Sequence, residues 1–165
     1  MNVTRGQSWQ AVTLPPPAEA HDLFSDNGTT YCGTESPVFF SYQVGKLILH
    51  CVDTIKDPPV NIYYLYSTED GGVTWTPTII PSGAIDFVSI DRGWALSRNL
   101  YYTSDGGMNW ELVKTVNWDG QFSFVNEEIG WAVARAETDT SILIALVYTT
   151  DGGNTWTEIH PTIAP

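Results

Sequence analysis

An eight-residue phrase recurs three times in this chain: TEDGGVTW at Thr68 to Trp75, TSDGGMNW at Thr103 to Trp110 and TTDGGNTW at Thr149 to Trp156. The copies share five identical positions of eight, and a shorter relative, GQSW, stands at Gly6 to Trp9. Recurrence of this kind restricts the chain to an array of like units, each burying its apolar face against a neighbour.

A second pattern precedes each octet. FFSYQVGKLI at Phe39 to Ile48, FVSIDRGWAL at Phe87 to Leu96 and FVNEEIGWAV at Phe124 to Val133 each place a Phe six residues before a Gly. Alternating residues on either side of a turn read as a β-hairpin. The octet joins two further strands, so each unit has four, here named A to D. In the middle unit A lies near IDFVSI, B is GWALSR, C is NLYYT and D is WELVKT. Helical periodicity is missing from every window, and glycine and proline punctuate too closely for helices. The segments Asp53 to Asn61 and Ala136 to Ser141 are polar and are expected as loops between B and C.

The expected architecture is therefore all-β: about three complete blades of four antiparallel strands, at 36–81, 84–116 and 120–161, within a single domain spanning 1–165. GQSWQAVTLP adds an N-terminal D strand. Closed radial arrays have about 4 to 8 blades. Three and a fraction imply self-association or a longer chain, because an open arc exposes edges and apolar faces.

Composition narrows the function. Seven Lys and Arg against nineteen Asp and Glu give a formal charge of -12. A nucleic-acid partner is not expected, since phosphate neutralisation needs a cationic face. The longest apolar run, Ile142 to Tyr148, is far short of the roughly 20 residues of a membrane-spanning helix. The first residues lack the apolar core of a signal peptide, so the chain is either not exported or has lost the segment that directed export. Cys32 and Cys51 fit one disulfide, which favours an extracytoplasmic location, but also fit two buried thiols. Asn2 and Asn27 match the glycosylation acceptor triplet, which arises often by chance.

The octets look like Asp-box repeats, also called bacterial neuraminidase repeats. Together with the FVxxxxGWA strand pair they resemble the β-propeller domains of photosystem II assembly-factor-like and other bacterial envelope proteins. The resemblance covers about 36–161 and the fragment at Gly6 to Trp9. It implies that the D to A and B to C connections share one face and the octets lie on the other. On that reading Cys51, ending strand B, and Cys32, in the connection leading into the first A strand, reach the same face.

The octet residues are expected to be structural. Asp70, Asp105 and Asp151 suit acceptors for backbone N–H groups in a tight turn, Gly72, Gly107 and Gly153 allow close approach, and Trp75, Trp110 and Trp156 pin the turn to its blade. One carboxylate per loop falls short of the roughly six to eight oxygens calcium takes, so no metal and no cofactor is expected.

Five residues past each turn glycine stand His50, Arg98 and Arg135. With Trp118 and Asp119 in the D to A connection VNWDGQ, they are the candidate binding residues, an arc of cations for a carboxylate or other anion. The competing reading makes Arg98 and Arg135 partners of nearby acids. No catalytic residues are assigned. Sialidases share the Asp box, but no arginine here stands in the Arg-Ile-Pro context of that family, and Asp86 and Asp119 are the only acids near D to A loops that resemble a glycosidase pair. The expected function is a non-catalytic binding or assembly module for a protein or glycan; the alternative is a sialidase-like or glucan-degrading hydrolase fragment.

Overall fold

The computed structural model of the protein describes residues 11–17, 30–81 and 84–160. Thirteen strands form three antiparallel sheets. The first sheet holds β1 (Thr30–Thr34), β2 (Val38–Phe39), β3 (Gly45–Asp53), β4 (Val60–Thr68) and β5 (Thr76–Ile80). Its order is β1-β3-β4-β5, with β2 also paired to β3, so β1 and β2 share one edge of β3 as an interrupted A strand. The second sheet runs β6 (Ala84–Phe87), β7 (Gly93–Leu96), β8 (Asn99–Thr103), β9 (Glu111–Thr115), and the third β10 (Asp119–Phe124), β11 (Gly130–Glu137), β12 (Ile142–Thr149), β13 (Thr157–Ile159), each in sequence order. The described residues form no helix.

The expected B to C loops prove shorter than the polar residues suggested. Strands β3 and β4 pair as far as Asp53 and Val60, and β11 and β12 as far as Glu137 and Ile142, because ladder hydrogen bonding tolerates polar side chains on a solvated face. Cys32 lies within β1 rather than in a connection. It is directly paired with Cys51 and disulfide-bonded to it, with Cα atoms 4.1 Å apart. GQSW at Gly6 to Trp9, the start of the expected N-terminal strand, lies outside the described residues, as do Asn2 and Asn27. Residues 11–17 carry no strand, yet Leu14 packs on the first sheet's cluster of Leu49, Cys51, Tyr64 and Tyr66, and the Tyr66 hydroxyl donates to the Pro15 carbonyl at 2.8 Å.

Each octet builds the same turn. In the second, the buried Thr103 hydroxyl donates to Asp105 Oδ1 at 2.9 Å and accepts the Gly107 N–H at 2.9 Å. Asp105 Oδ1 accepts the Asn109 backbone N–H at 2.9 Å, and its Oδ2 accepts the Asn109 side-chain amide at 2.7 Å. Thr74 supplies the same two donors to Asp70, and Thr155 to Asp151. That is why the seventh octet position is Thr or Asn: both carry a short side-chain donor. The first octet glycine donates its N–H to the A to B turn of its own sheet, Gly71 to Gln43, Gly106 to Asp91 and Gly152 to Glu128, at 2.7, 2.7 and 2.9 Å. Octets and A to B turns therefore share one end of every sheet.

The Phe-to-Gly spacing has a direct cause. Phe39 pairs with Gly45, Phe87 with Gly93 and Phe124 with Gly130 across adjacent strands. Each ring lies over its glycine so closely that a Cβ there would stand 2.5 to 2.8 Å from ring carbons.

Sheets join through a second set of repeated contacts. Trp94, one residue past its turn glycine, stacks on Phe124 of the third sheet at 3.9 Å and 5°, and donates its Nε1–H to the Gly152 carbonyl at 3.2 Å. Lys46 holds the equivalent place one sheet earlier: its Nζ stands 4.6 Å from the Phe87 centroid and donates to the Gly106 carbonyl at 2.7 Å. Burial lowers the Lys46 pKa, opposed by Asp91 and Asp105. Leu65 and Leu100 press on Gly107 and Gly153, the second octet glycines of the next sheet, which sit at φ 94°. No other residue fits there: a Cβ would meet the leucine methyl and an L residue would be strained.

Two measurements check this account. Donors from Thr74 and Asn109 hold Asp70 and Asp105 down from 3.8 to about 2, so their stabilisation is complete above 3.8 and lost as pH falls through about 2. The gap in thermal midpoint between wild type and Asp105→Asn is therefore expected to be constant near neutrality and to close across that acid window. Trp94→Ala, which empties the contact between the second and third sheets, is expected to cost about 3–5 kcal/mol in urea unfolding.

Candidate binding cleft

The end of the sheets opposite the octets gathers four of the five candidate residues. Arg98 follows β7, Asn117, Trp118 and Asp119 form the connection from β9 into β10, and Arg135 and Glu137 end β11; together they line a depression of about 150 Å³. Asp119 and Arg135 are directly paired across β10 and β11. Asp119 also lines a larger, neighbouring cleft of about 440 Å³ with Asn61, Tyr63, Ala84, Leu96, Ser97 and Gly120. The two depressions thus adjoin at Asp119 and draw on all three sheets.

The connection that shapes them is set by its backbone. Asn117 takes φ 58°, one of the few non-glycine residues that adopt the left-handed region readily. Gly120, at φ 147°, lies so close to the Val133 carbonyl that a Cβ would overlap it. The ring of Trp118 is half-buried, edge-on to Trp156 at 5.5 Å and 90°, and packed between the cores of the second and third sheets. It thus bridges the two cores, and Asp119 follows it at the rim of the depression.

The arginines differ from one another. Arg135 donates to Glu137 Oε1 at 2.9 Å, an exposed pair of small energetic weight. Arg98 is exposed and joins no ion pair among the described residues. His50 is not part of the smaller depression. Its Nε2 lies 2.8 Å from Asn61 Oδ1 and its ring stacks on Tyr63 at 4.4 Å and 3°, so it backs two residues of the larger cleft. Burial, with Glu35 second, pushes the Tyr63 phenol above its ordinary 10.0, leaving it a neutral donor at physiological pH.

Asn61, Tyr63, Ser97 and Gly120 were not singled out from the sequence. Tyr63 is the cross-strand partner of His50, but that pairing depends on where the loop 54–59 reverses. Asp86, one of the two acids a hydrolase reading would use, accepts the Phe124 N–H across the second and third sheets at 2.6 Å. No group of His, Cys, Asp and Glu suited to a metal ion occurs among the described residues, and no helix there is long and apolar enough to cross a membrane.

Residues 101–112, the end of β8, the second octet and the start of β9, match the family model described as BNR/Asp-box repeat. No curated protein sequence matches the chain. Among solved structures the chain is similar to one titled "YCF48 bound to D1 peptide", with a TM-score of 0.51 and 16% identity, over 88% of this chain and 45% of that one. This chain therefore spans less than half the length of that structure, and the likeness is one of fold.

Gly120→Ala tests the backbone account of the cleft. The variant is expected to lower the thermal midpoint and to alter the near-ultraviolet tryptophan signal of the Trp118–Trp156 pair, without loss of the disulfide.

Proposed function

From its Asp-box repeats and propeller-like sheets, we propose that this chain is a non-catalytic binding module for an extended peptide segment of a protein partner. The observation that carries the reading is the joined cleft at the loop end, where an unpaired Arg98 and a weakly paired Arg135 stand at one extremity. A solved structure of similar fold is titled as bound to a peptide, which agrees with this use of the architecture. Backbone groups near Gly120 and the side chains of Asn61 and Ser97 suit the hydrogen-bonding edges of an extended chain.

Electrostatics refine the ligand class. The two arginines suit one carboxylate, from an acidic side chain or a chain terminus, by charge-assisted hydrogen bonds. The remainder of the molecule is acidic, with a formal charge of -12, and favours a ligand whose other residues are basic or neutral. A peptide is preferred to a glycan because the Trp118 ring is half-buried, packed against the cores of the second and third sheets and against Trp156. The disulfide suits an oxidising compartment and supports an extracytoplasmic setting for this reading.

The reading is tested by calorimetry on a peptide selected from an array. Arg98→Ala is expected to remove charged hydrogen bonds worth about 1.5–3 kcal/mol, weakening Kd by roughly tenfold to a hundredfold. Amidation of the responsible carboxylate is expected to do the same, and affinity should fall with salt. Unchanged affinity in Arg98→Ala and Arg135→Ala would place binding elsewhere.

A further inference from the structure

The contact that joins successive sheets is left half-made at each end of the array. In the second sheet Trp94, Leu96 and Leu100 share the face turned to the third sheet and are 1%, 2% and 0% exposed. Trp131, Val133 and Leu146 occupy the same repeat positions in the third sheet, with Val133 paired to Leu146 as Leu96 is to Leu100. They are 41%, 46% and 40% exposed. Strand β11 alternates strictly: Ala132 and Ala134 are buried toward the second sheet, whereas Trp131 and Val133 are not covered.

The first sheet carries the other half. Phe39 is 44% exposed, whereas Phe124, at the same position and under Trp94, is 5% exposed. Gly72 has only Trp75 and Phe39 of its own sheet near it, whereas Gly107 and Gly153 each receive a leucine from the preceding sheet. Two internal precedents therefore state what covers the third sheet's face: a phenylalanine ring, a first-octet glycine carbonyl and a second-octet glycine. Among the described residues, no other sheet covers that set in the first sheet, where it consists of Phe39, Gly71 and Gly72.

We infer that two copies of this chain associate head to tail, the third sheet of each docking on the octet corner of the other's first sheet. Trp131 stacks on the partner copy's Phe39 and donates to its Gly71 carbonyl, and Leu146 seats on its Gly72. Sizes compensate along the contact. The first sheet has Leu47 where the second and third have Ala95 and Ala132, and the incoming Val133 is smaller than the Ile48 and Leu96 of the internal contacts. Leu14 and Pro15 lie on the neighbouring part of the first sheet's face, over the cluster of Leu49, Cys51, Tyr64 and Tyr66, while Phe39 at the corner stays 44% exposed. Contacts between unlike faces form rings or open filaments. Two copies of three sheets fall within the about 4 to 8 blades at which radial arrays close, so the ring is a dimer.

Sedimentation velocity on the full chain is expected to give twice the 18.3 kDa mass. Trp131→Glu and Leu146→Glu, both at exposed positions, are each expected to give monomers with unchanged circular dichroism. Register is read by cross-linking. Lys114 donates to the Asn154 carbonyl across the second and third sheets at 2.8 Å. By strand register Ile159, paired to Leu146 as Lys114 is to Leu100, and Val73 hold the corresponding repeat positions, so a mixture of Ile159→Cys and Val73→Cys should couple through a short bismaleimide, and Val73→Cys alone should not. A monomeric wild-type chain at its highest soluble concentration would overturn the inference. So would a dimer that survives both glutamates, or one that fails to couple residues 159 and 73, which points to a contact between like faces.

Discussion

The second glycine of the second and third octets, Gly107 and Gly153, has to serve two structures at once. Within its own turn its N–H closes on a buried threonine hydroxyl, and its left-handed backbone lets the aspartate collect donors from the far side of the loop. Its empty α-carbon face is also where the leucine of the preceding sheet lands. A local turn and a long-range contact are thus imposed on one atom's worth of space, and the array follows from that coincidence.

The residue past each hairpin glycine shows how such a contact tolerates change. Trp94 stacks on Phe124 and gives an indole N–H to a glycine carbonyl; Lys46 lies over Phe87 and gives an ammonium N–H to the corresponding carbonyl. An aromatic and a cation fill the same role because both present a donor and both interact favourably with a ring face. Lys46 is held in place although burial disfavours its charge, since Asp91 and Asp105 stand nearby. A third network, Arg92 with Glu127 and Tyr102, ties the second and third sheets at the surface, where its contribution is small.

The cleft belongs to the opposite end, where the sheets are not stapled by octets. Trp118 packs against the cores of both sheets, and its left-handed neighbour Asn117 and constrained Gly120 flank Asp119 at the junction of two depressions. Segregating structural turns to one end frees the other for side chains whose identity is not dictated by packing.

The strands, their grouping in fours and the bracing role of the octet aspartates were legible in the sequence, because a turn is a local object. Every donor to Asp70, Asp105 and Asp151 lies within a few residues of it. The spacing of Phe to Gly was legible as a pattern but not as a cause, since the cause is a ring laid over a cross-strand partner. The repeat position of His50, Arg98 and Arg135 could be counted and set beside Trp118 and Asp119, but not that His50 would stack against Tyr63 outside the smaller depression. Nor could Lys46 be recognised as the counterpart of Trp94. The sequence by itself determined what each unit is, because hydrogen bonds within a turn depend on neighbours along the chain. Which faces are covered, and which side chains converge on the cleft, only the tertiary structure decided, because those distances depend on how far one twisted sheet is rotated against the next.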